Sequence, residues 1–145
     1  MATGMLCSRI VATAAPGESV RTAAQRMAEN GVGTLVVLDG EKGNGLAGVV
    51  TDRDIALRCT AAGLDPETTP VIEVMSKPVH SVDEGTPVEE ALARMARTAT
   101  RRLVVTGDEG RLVGIFTLDD ALEFLATQAG AVGQLLARQQ PQIPV

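Results

Sequence analysis

The stretch GVVTDRD at residues 48–54 returns in altered form as GIFTLDD at residues 114–120. In each copy a glycine opens a short apolar run, a threonine follows, and an aspartate comes three residues later. Thr-x-x-Asp after an apolar run predicts a strand that passes into a capped helix. The same corner also suits a ligand, because a helix N-terminus offers unpaired N–H groups and a partial positive charge. The residues alone leave both interpretations open.

The two stretches belong to a longer internal repeat. An offset of 68 aligns the first part of the chain with the second, and the offset becomes 66 after a two-residue gap. The matched pairs include Val11 with Val79, Gly17 with Gly85, Val20 with Val88, Ala23 with Ala91, Met27 with Met95, Leu46 with Leu112, Thr51 with Thr117 and Asp54 with Asp120. Two units are too few for a solenoid, so we expect two halves that bury each other's apolar faces.

The sequence pattern of each unit predicts the element order β-α-β-β-α. Two such units predict an α+β fold built of α/β layers with pseudo-twofold symmetry. A first strand (10–14 or 79–82) precedes an amphipathic helix, and Thr86 to Glu89 predicts a capping box with proline at the first helical position. An antiparallel hairpin follows, with a polar, glycine-rich turn, and then a last helix over 52–62 or 118–128. The predicted repeats are 5–62 and 75–128, with a linker at 63–74 and a C-terminal tail at 129–145 that is loose at its end.

Composition excludes several classes of function. The net charge of −5 and the absence of Trp and Tyr argue against nucleic-acid binding. No apolar run is long enough to span a bilayer, and the N-terminus lacks a signal-peptide pattern, so we expect a cytoplasmic protein that does not bind membranes. Cys7, Cys59 and His80 are too few for a zinc site, and we expect two reduced thiols, although a disulfide stays open. No catalytic constellation is present, so we expect no enzyme activity, no metal and no required cofactor.

With these residues and their doubled β-α-β-β-α frame, the chain resembles a cystathionine-β-synthase (CBS) domain pair, or Bateman module. The family hallmark is Gly-h-h-Ser/Thr-x-x-Asp/Asn, where h is apolar, and it matches Gly48 to Asp54 and Gly114 to Asp120. The resemblance covers roughly residues 5–128 and includes small free-standing bacterial CBS-pair proteins without a catalytic domain. It implies a regulatory sensor module that binds an adenosine-containing molecule such as AMP, ADP or ATP between the repeats and modulates a protein partner.

The resemblance also implies which residues form the sites. In the family the aspartate holds the ribose, and the base lies against the first strand of the opposite repeat. Carried over, Thr117 and Asp120 would act with residues near Ala12, whereas Thr51 and Asp54 would act with residues near His80. Basic residues often precede the second strand, and here Arg101 and Arg102 match this feature, while Gly33 and Thr34 depart from it. Arg53 lies inside the first motif.

These differences predict two clefts of unequal charge, of which the more basic one would hold a phosphate. The sequence does not show which cleft Arg101 and Arg102 reach, and a solvated surface pair is the alternative. Two alternative functions stay open. The chain could be a ligand-free interaction or dimerisation scaffold, or it could be the regulatory segment of a larger enzyme or transporter. The apolar helix faces permit a symmetric homodimer, which the family resemblance also implies.

Overall fold

A computed structural model describes residues 1–40 and 45–139. The predicted turn of the first hairpin (41–44) and the last residues of the predicted tail (140–145) lie outside the described residues.

Two copies of the predicted β-α-β-β-α unit are present. The first contains β1 (Thr13–Ala14), α2 (Val20–Asn30), β2 (Thr34–Asp39), β3 (Gly45–Thr51) and α3 (Asp52–Ile55), and the last helix continues as a π-helical turn (Ala56–Thr60). The second contains β4 (Ser81–Asp83), α4 (Val88–Thr98), β5 (Arg102–Thr106), β6 (Leu112–Thr117) and α5 (Leu118–Gln139). A short helix α1 (Thr3–Leu6) precedes both units and was not predicted, because four residues are too few to show a helical period.

Each unit forms its own three-stranded sheet, in the orders β1-β2-β3 and β4-β5-β6. The first strand pairs in parallel with the second. The hairpin strands pair antiparallel, as predicted. The registers match as well, since Val36 pairs with Val49 and Val104 with Ile115. The two sheets are therefore structural copies of one another, which confirms the α+β tandem repeat.

The chain crosses between the repeats before each first strand. Residues 2–8 lie on the second repeat, where Ala2 bridges to Pro87 and Ser8 pairs with Ile115. Residues 70–76 lie on the first repeat, where Pro70 bridges to Ser19 and Ser76 pairs with Val49. We call 2–8 and 70–76 the crossing segments. Each one adds a short antiparallel pairing to the sheet of one repeat and then enters the other repeat as its first strand.

The motif glycines lie under these crossing segments. A Cβ atom built on Gly114 would overlap the carbonyl oxygen of Ser8 and would lie 2.8 Å from Sγ of Cys7. At Gly48 the nearest atoms are Sδ of Met75 at 2.6 Å and the carbonyl oxygen of Ser76 at 3.0 Å. The first position of each motif therefore lacks a side chain because another strand of backbone lies against it.

The buried residues form two clusters, one in each repeat, instead of one shared core. Leu35 and Val37 of β2 pack with α2 residues and with Val71 and Val74 of the first repeat's crossing segment. In the second repeat, Phe116 and its neighbours pack against Leu6 and Cys7. Val36 and Val104 lie on the other face of their sheets, because side chains alternate along a strand. They are buried too, at 0% and 4% exposed. The second face of each sheet is thus covered as expected, and crossing segments complete both cores.

The predicted capping box at Thr86 is wrong. Pro87 is the N-cap residue of α4, and no side chain caps this helix. The carbonyl of Thr86 instead accepts hydrogen bonds from the backbone N–H and the hydroxyl of Thr3, at 2.8 and 2.6 Å. The N–H of Val88 donates to the carbonyl of Met1. The Met1 carbonyl thus binds one of the free N–H groups at the start of α4, and Thr3 fixes the residue before the N-cap.

Three predicted element ends are also corrected. The first strands begin later than expected, at Thr13 and Ser81. The residue before each strand makes a single hydrogen bond to the second strand of its sheet, since the Ala12 carbonyl accepts from the Val36 N–H at 3.1 Å and the His80 carbonyl from the Val104 N–H at 3.0 Å. The residues before these lead in from the crossing segments.

Helix α5 continues to Gln139, well beyond the predicted end at Gln128. Gly130 and Gly133 follow the predicted end, and glycine in this position favours a helix end.

Replacing Thr3 with valine is expected to lower the free energy of unfolding by about 1 kcal/mol, the usual net value of one buried hydrogen bond. Thr3 is fully buried, and its hydroxyl bond to Thr86 would be lost while the backbone bond remains. Thr127→Val is the control, because its hydroxyl bonds the Glu123 carbonyl on an exposed helix surface. Urea unfolding of both variants checks the prediction, and equal losses would contradict it.

Candidate functional site

Two clefts lie between the repeats, and the pseudo-twofold relates them. The first has a volume of about 450 Å³. It lies between the motif of the first repeat and the residues that lead into β4 and β5 of the second. Its polar lining includes Thr51, Asp52, Arg53, Asp54, Ser76, His80, Thr100, Arg101 and Arg102. Its apolar lining includes Val49, Pro78, Val79, Val104 and Ile115. The cleft therefore has a charged side and an apolar side, and its size lies in the range of small-molecule sites.

The second cleft has the same construction with the repeats exchanged. It is lined by Ser8, Ile10, Val11, Ala12, Val32, Gly33, Thr34, Arg102, Ile115, Thr117 and Asp120. Its volume is about 260 Å³, which is below the usual size of a site for a small ligand.

Both Thr-x-x-Asp corners form the predicted capping boxes. The hydroxyl oxygen of Thr51 accepts from the Asp54 N–H at 3.0 Å, and Oδ2 of Asp54 accepts from the Thr51 N–H at 3.0 Å. The same reciprocal pair joins Thr117 and Asp120, at 3.1 and 2.7 Å. Each aspartate thus uses Oδ2 to bind its own corner. The structural interpretation of the motif is confirmed, and Oδ1 of each carboxylate remains outside the capping box.

The surroundings of the two aspartates differ. Oδ1 of Asp54 lies 3.4 Å from Oγ of Ser76 and 3.9 Å from Nε of Arg58. Arg58 also donates to the backbone carbonyls of Val74 and Met75, at 3.2 and 3.1 Å, so it joins the helix after the first motif to the crossing segment. Its counterpart at an offset of 66 is Phe124. The first aspartate therefore has a cation within 4 Å, whereas a phenylalanine takes that position in the second repeat.

The charges of the clefts are unequal. Arg53, Arg101 and Arg102 line the first cleft together with Asp52 and Asp54, whereas the second cleft has Arg102 and Asp120. Arg102 and Thr34 occupy equivalent positions, and the guanidinium donates to the Thr34 hydroxyl across the pseudo-twofold. Both side chains line both clefts, so Arg102 forms part of the wall between them. The first cleft is the more basic one.

A family model for the CBS domain matches residues 4–59 and again residues 71–127. This chain belongs to the CBS-domain family. The two matches coincide with the two sheets and their helices, so the protein is a pair of CBS repeats.

Relatives and solved structures agree with this assignment. The CBS domain-containing protein YhcV of Bacillus subtilis is 44% identical over 110 residues, which is 76% of this chain and 75% of YhcV. Protein MK0525 of Methanopyrus kandleri is 34% identical over 120 residues, which is 83% of this chain but 60% of MK0525. This chain therefore spans less than two thirds of that relative.

Two solved CBS structures carry ligands. PAE2072 of Pyrobaculum aerophilum, solved in complex with AMP, has a TM-score of 0.75 and 30% identity, and the match covers 83% of this chain and 89% of that one. Hypoxic Response Protein I, solved with two coordinated zinc ions, has a TM-score of 0.75 and 32% identity over 85% of this chain and 98% of that one. A hypoxic response protein 1 of Mycobacterium tuberculosis is also among the sequence relatives.

The CBS clefts bring the sequence-predicted residues together in the expected combinations. Thr51, Asp54 and His80 share the first cleft, and Thr117, Asp120 and Ala12 share the second. The structure adds what the sequence left open, since Arg53 and both members of the arginine pair line the first cleft.

The sequence analysis missed Ser76 and Arg58. Ser76 aligns with Ser8 at the offset of 68, so the repeat itself contained the signal for a polar residue at both clefts. Arg58 lies four residues after Asp54, which is the spacing of neighbours on a helix surface.

Both cysteines are free thiols, which answers the question of a disulfide. Cys59 is buried in the first core, and burial raises the pKa of the Cys7 thiol despite the nearby Arg9. Over residues 1–40 and 45–139, no group of three or more His, Cys, Asp and Glu side chains could hold a metal ion. Within the same ranges, every helix is too short or too polar to cross a bilayer.

Proposed function

We propose that this protein is a regulatory CBS pair that binds an adenosine nucleotide in the first cleft, with AMP as the reference ligand. One observation carries the proposal: the Thr51–Asp54 corner of one repeat and the His80, Arg101 and Arg102 side chains of the other line a single cavity of about 450 Å³. The AMP complex of PAE2072, a CBS protein of similar fold, supports the choice of ligand.

The chemistry of the walls suggests one orientation for the nucleotide. Oδ1 of Asp54 is not used in the capping box, and beside the long 3.4 Å bond from the Ser76 hydroxyl its second lone pair can accept from a ribose hydroxyl. The guanidinium groups of Arg101 and Arg102 suit a phosphate, because arginine binds phosphate oxygens with paired N–H donors. Val49, Val79 and Ile115 supply the apolar surface for the purine ring.

Regulation follows from the position of the cleft between the two CBS repeats. A ligand that touches the motif of one repeat and the residues leading into the strands of the other favours the arrangement in which both repeats contact it. We propose that this preference changes the affinity for a protein partner. In this proposal the two repeats are residues 5–62 and 75–128. Such coupling involves no chemical change of the nucleotide, so no enzyme activity is proposed.

The test is a thermal-unfolding titration with AMP, ADP, ATP and S-adenosylmethionine. A ligand present at 100 times its Kd stabilises the native state by about 2.7 kcal/mol, which raises the Tm of a chain of this length by roughly 5–10 °C. Asp54→Ala and Asp120→Ala form the matched pair, since each removes one equivalent carboxylate and one capping box. Each variant is compared with its own ligand-free Tm.

We expect Asp54→Ala to lose most of the AMP-induced shift and Asp120→Ala to retain it. Both variants should lose about 1 kcal/mol of stability without ligand, because each helix start loses its cap. Equal loss of the shift in the two variants would show that the clefts are used alike. The absence of any shift with all four ligands at millimolar concentration would instead favour the ligand-free scaffold.

A further inference from the structure

Arg58 connects the helix after the first motif to the chain that leads into the second repeat. It lies in the π-helical turn Ala56–Thr60, whereas the equivalent part of α5 is regular α-helix. Turns of this kind are rare in proteins and are frequently found at functional sites. The side chain donates through Nη1 to the carbonyls of Val74 and Met75, at 3.2 and 3.1 Å. Arg58 therefore holds the crossing segment directly before Ser76.

Ser76 is held from its other side by the strand that carries the motif. It exchanges two backbone hydrogen bonds with Val49 of β3, at 2.8 and 3.0 Å. Its hydroxyl lies 3.4 Å from Oδ1 and 3.5 Å from Oδ2 of Asp54. Nε of Arg58 lies 3.9 Å from the same Oδ1. A hydroxyl and a positive charge thus lie beside Oδ1, and both are anchored on the crossing segment.

These contacts determine the orientation of the Asp54 carboxylate. Oδ2 accepts from the Thr51 N–H at 3.0 Å in the capping box, so its own repeat fixes one oxygen. The crossing segment, through the serine and the arginine, fixes the other. The Asp54 side chain is 13% exposed and that of Arg58 is 51% exposed, so the carboxylate is the buried member of the pair. At 3.9 Å the guanidinium supplies charge and no hydrogen bond, which leaves a lone pair of Oδ1 for a ligand hydroxyl.

The second repeat lacks this arrangement. Ser8, the serine of the N-terminal crossing segment, donates to the carbonyl of Ile10 at 3.4 Å instead of to a carboxylate. Phe124 takes the place of the arginine, and its side chain has no donor group. Among the described residues, only the first motif has its aspartate held from outside the motif by a serine and an arginine.

We propose that Arg58 is a positioning residue of the first cleft, which holds Ser76 and Asp54 so that Oδ1 of the aspartate accepts a ribose hydroxyl. Arg58 lies outside the lining of the cavity, so it acts through Asp54 and not by contact with the ligand. The role rests on the nucleotide site proposed for this cleft. A carboxylate that is already oriented loses less conformational freedom on binding, so it makes the cleft selective for ligands that have the ribose hydroxyls.

Binding of AMP and of 2′,3′-dideoxy-AMP to the full chain tests this role by isothermal titration calorimetry. The two ligands share the base and the phosphate and differ in the two ribose hydroxyls. We expect the wild type to prefer AMP about 10-fold, the value of one hydrogen bond to a charged group. Arg58→Met keeps a long unbranched side chain without donors, and it should bind the two ligands within about twofold of each other. The affinity for AMP should fall, and that for dideoxy-AMP should stay the same.

The controls separate positioning from a general effect on the cleft. Phe124→Met places the same side chain at the equivalent position of the second repeat, and it should keep the preference for AMP. Arg58→Lys keeps the charge but has a point donor in place of the planar guanidinium, so it should recover part of that preference. In an Asp54→Asn background, adding Arg58→Met should leave the Kd for AMP unchanged, because the carboxylate that it positions has been replaced.

Two results would overturn the positioning role and leave the nucleotide site in place. The first is equal weakening of AMP and dideoxy-AMP by Arg58→Met, which would mean that the arginine supports the fold of the cleft alone. The second is a further loss of AMP affinity when Arg58→Met is added to Asp54→Asn, which would place its action on another group.

The wild type distinguishes failure of this role from failure of the nucleotide site. Equal wild-type affinities for AMP and dideoxy-AMP would mean that Asp54 does not hold the ribose, so Arg58 could not act through it, although a nucleotide binds. A wild type that binds neither ligand at millimolar concentration would refute the nucleotide site and this role with it.

Discussion

Gly114→Ala is expected to lower the free energy of unfolding by about 3 kcal/mol, the upper part of the range for overpacking, and to lower the Tm by about 10 °C. The new methyl group would overlap the carbonyl oxygen of Ser8, which is backbone and cannot rotate away. The crossing segment would have to move, and its two hydrogen bonds with Ile115, at 2.9 and 3.0 Å, would weaken.

The equivalent change at Gly48 is expected to cost about 1 kcal/mol, since a flexible side chain can give way at lower cost than backbone. Its closest neighbour is the Met75 thioether, and the Ser76 carbonyl is 3.0 Å away. Gly17→Ala is the control, because an added Cβ there meets no atom within 4 Å. Calorimetry of the three variants gives the comparison. A Gly114→Ala protein as stable as Gly17→Ala would mean that the crossing segment does not lie where the structure places it.

Replacing both Arg101 and Arg102 with alanine is expected to raise the Kd for AMP about 100-fold. One charge-assisted hydrogen bond contributes about 1.5–3 kcal/mol, and neighbouring contributions to one phosphate are not fully additive. Both side chains line the first cleft and carry no ion pair among the described residues. Isothermal titration calorimetry measures the change directly.

Two controls separate a phosphate contact from a general effect of charge. Arg94→Ala with Arg97→Ala removes the same charge from α4, outside the lining of either cleft, and should change the Kd less than threefold. Adenosine, which has no phosphate, should bind the Arg101/Arg102 double variant as it binds the wild type. Equal weakening by both arginine pairs would mean that long-range attraction, and not contact, determines the affinity.

The repeat was readable from the sequence because each unit repeats the same buried pattern. Burial on a sheet or helix face constrains residue type at fixed periods, so Val20 and Val88, or Leu35 and Leu103, reveal equivalent positions. The capping boxes at Thr51 and Thr117 were readable for a related reason, since a cap depends on residues three apart in one chain. The pairing of Thr51 and Asp54 with His80 came from the family resemblance, and the structure places these residues in one cleft.

Contacts between residues distant in the chain were not readable. Thr86 has the sequence of a capping residue, yet Pro87 is the N-cap of α4 and the Met1 carbonyl accepts from the Val88 N–H. The continuation of α5 to Gln139 was not predicted either, because Gly130 and Gly133 are poor helix formers in the local sequence.

The motif that begins at Gly48 and Gly114 shows which features depend on the local sequence and which depend on the tertiary structure. The sequence by itself determined two strand-to-helix corners with capped starts, because backbone geometry and short-range hydrogen bonds depend on residues a few positions apart. Only the tertiary structure decided why each motif starts with glycine and why the first cleft is the basic one. Both depend on segments that are distant in the chain: Gly48 lies against Ser76, Gly114 lies against Ser8, and the first cleft joins the first motif to the arginines at the start of β5. Close approach of distant segments is set by the packing of the whole chain, and no local pattern specifies it.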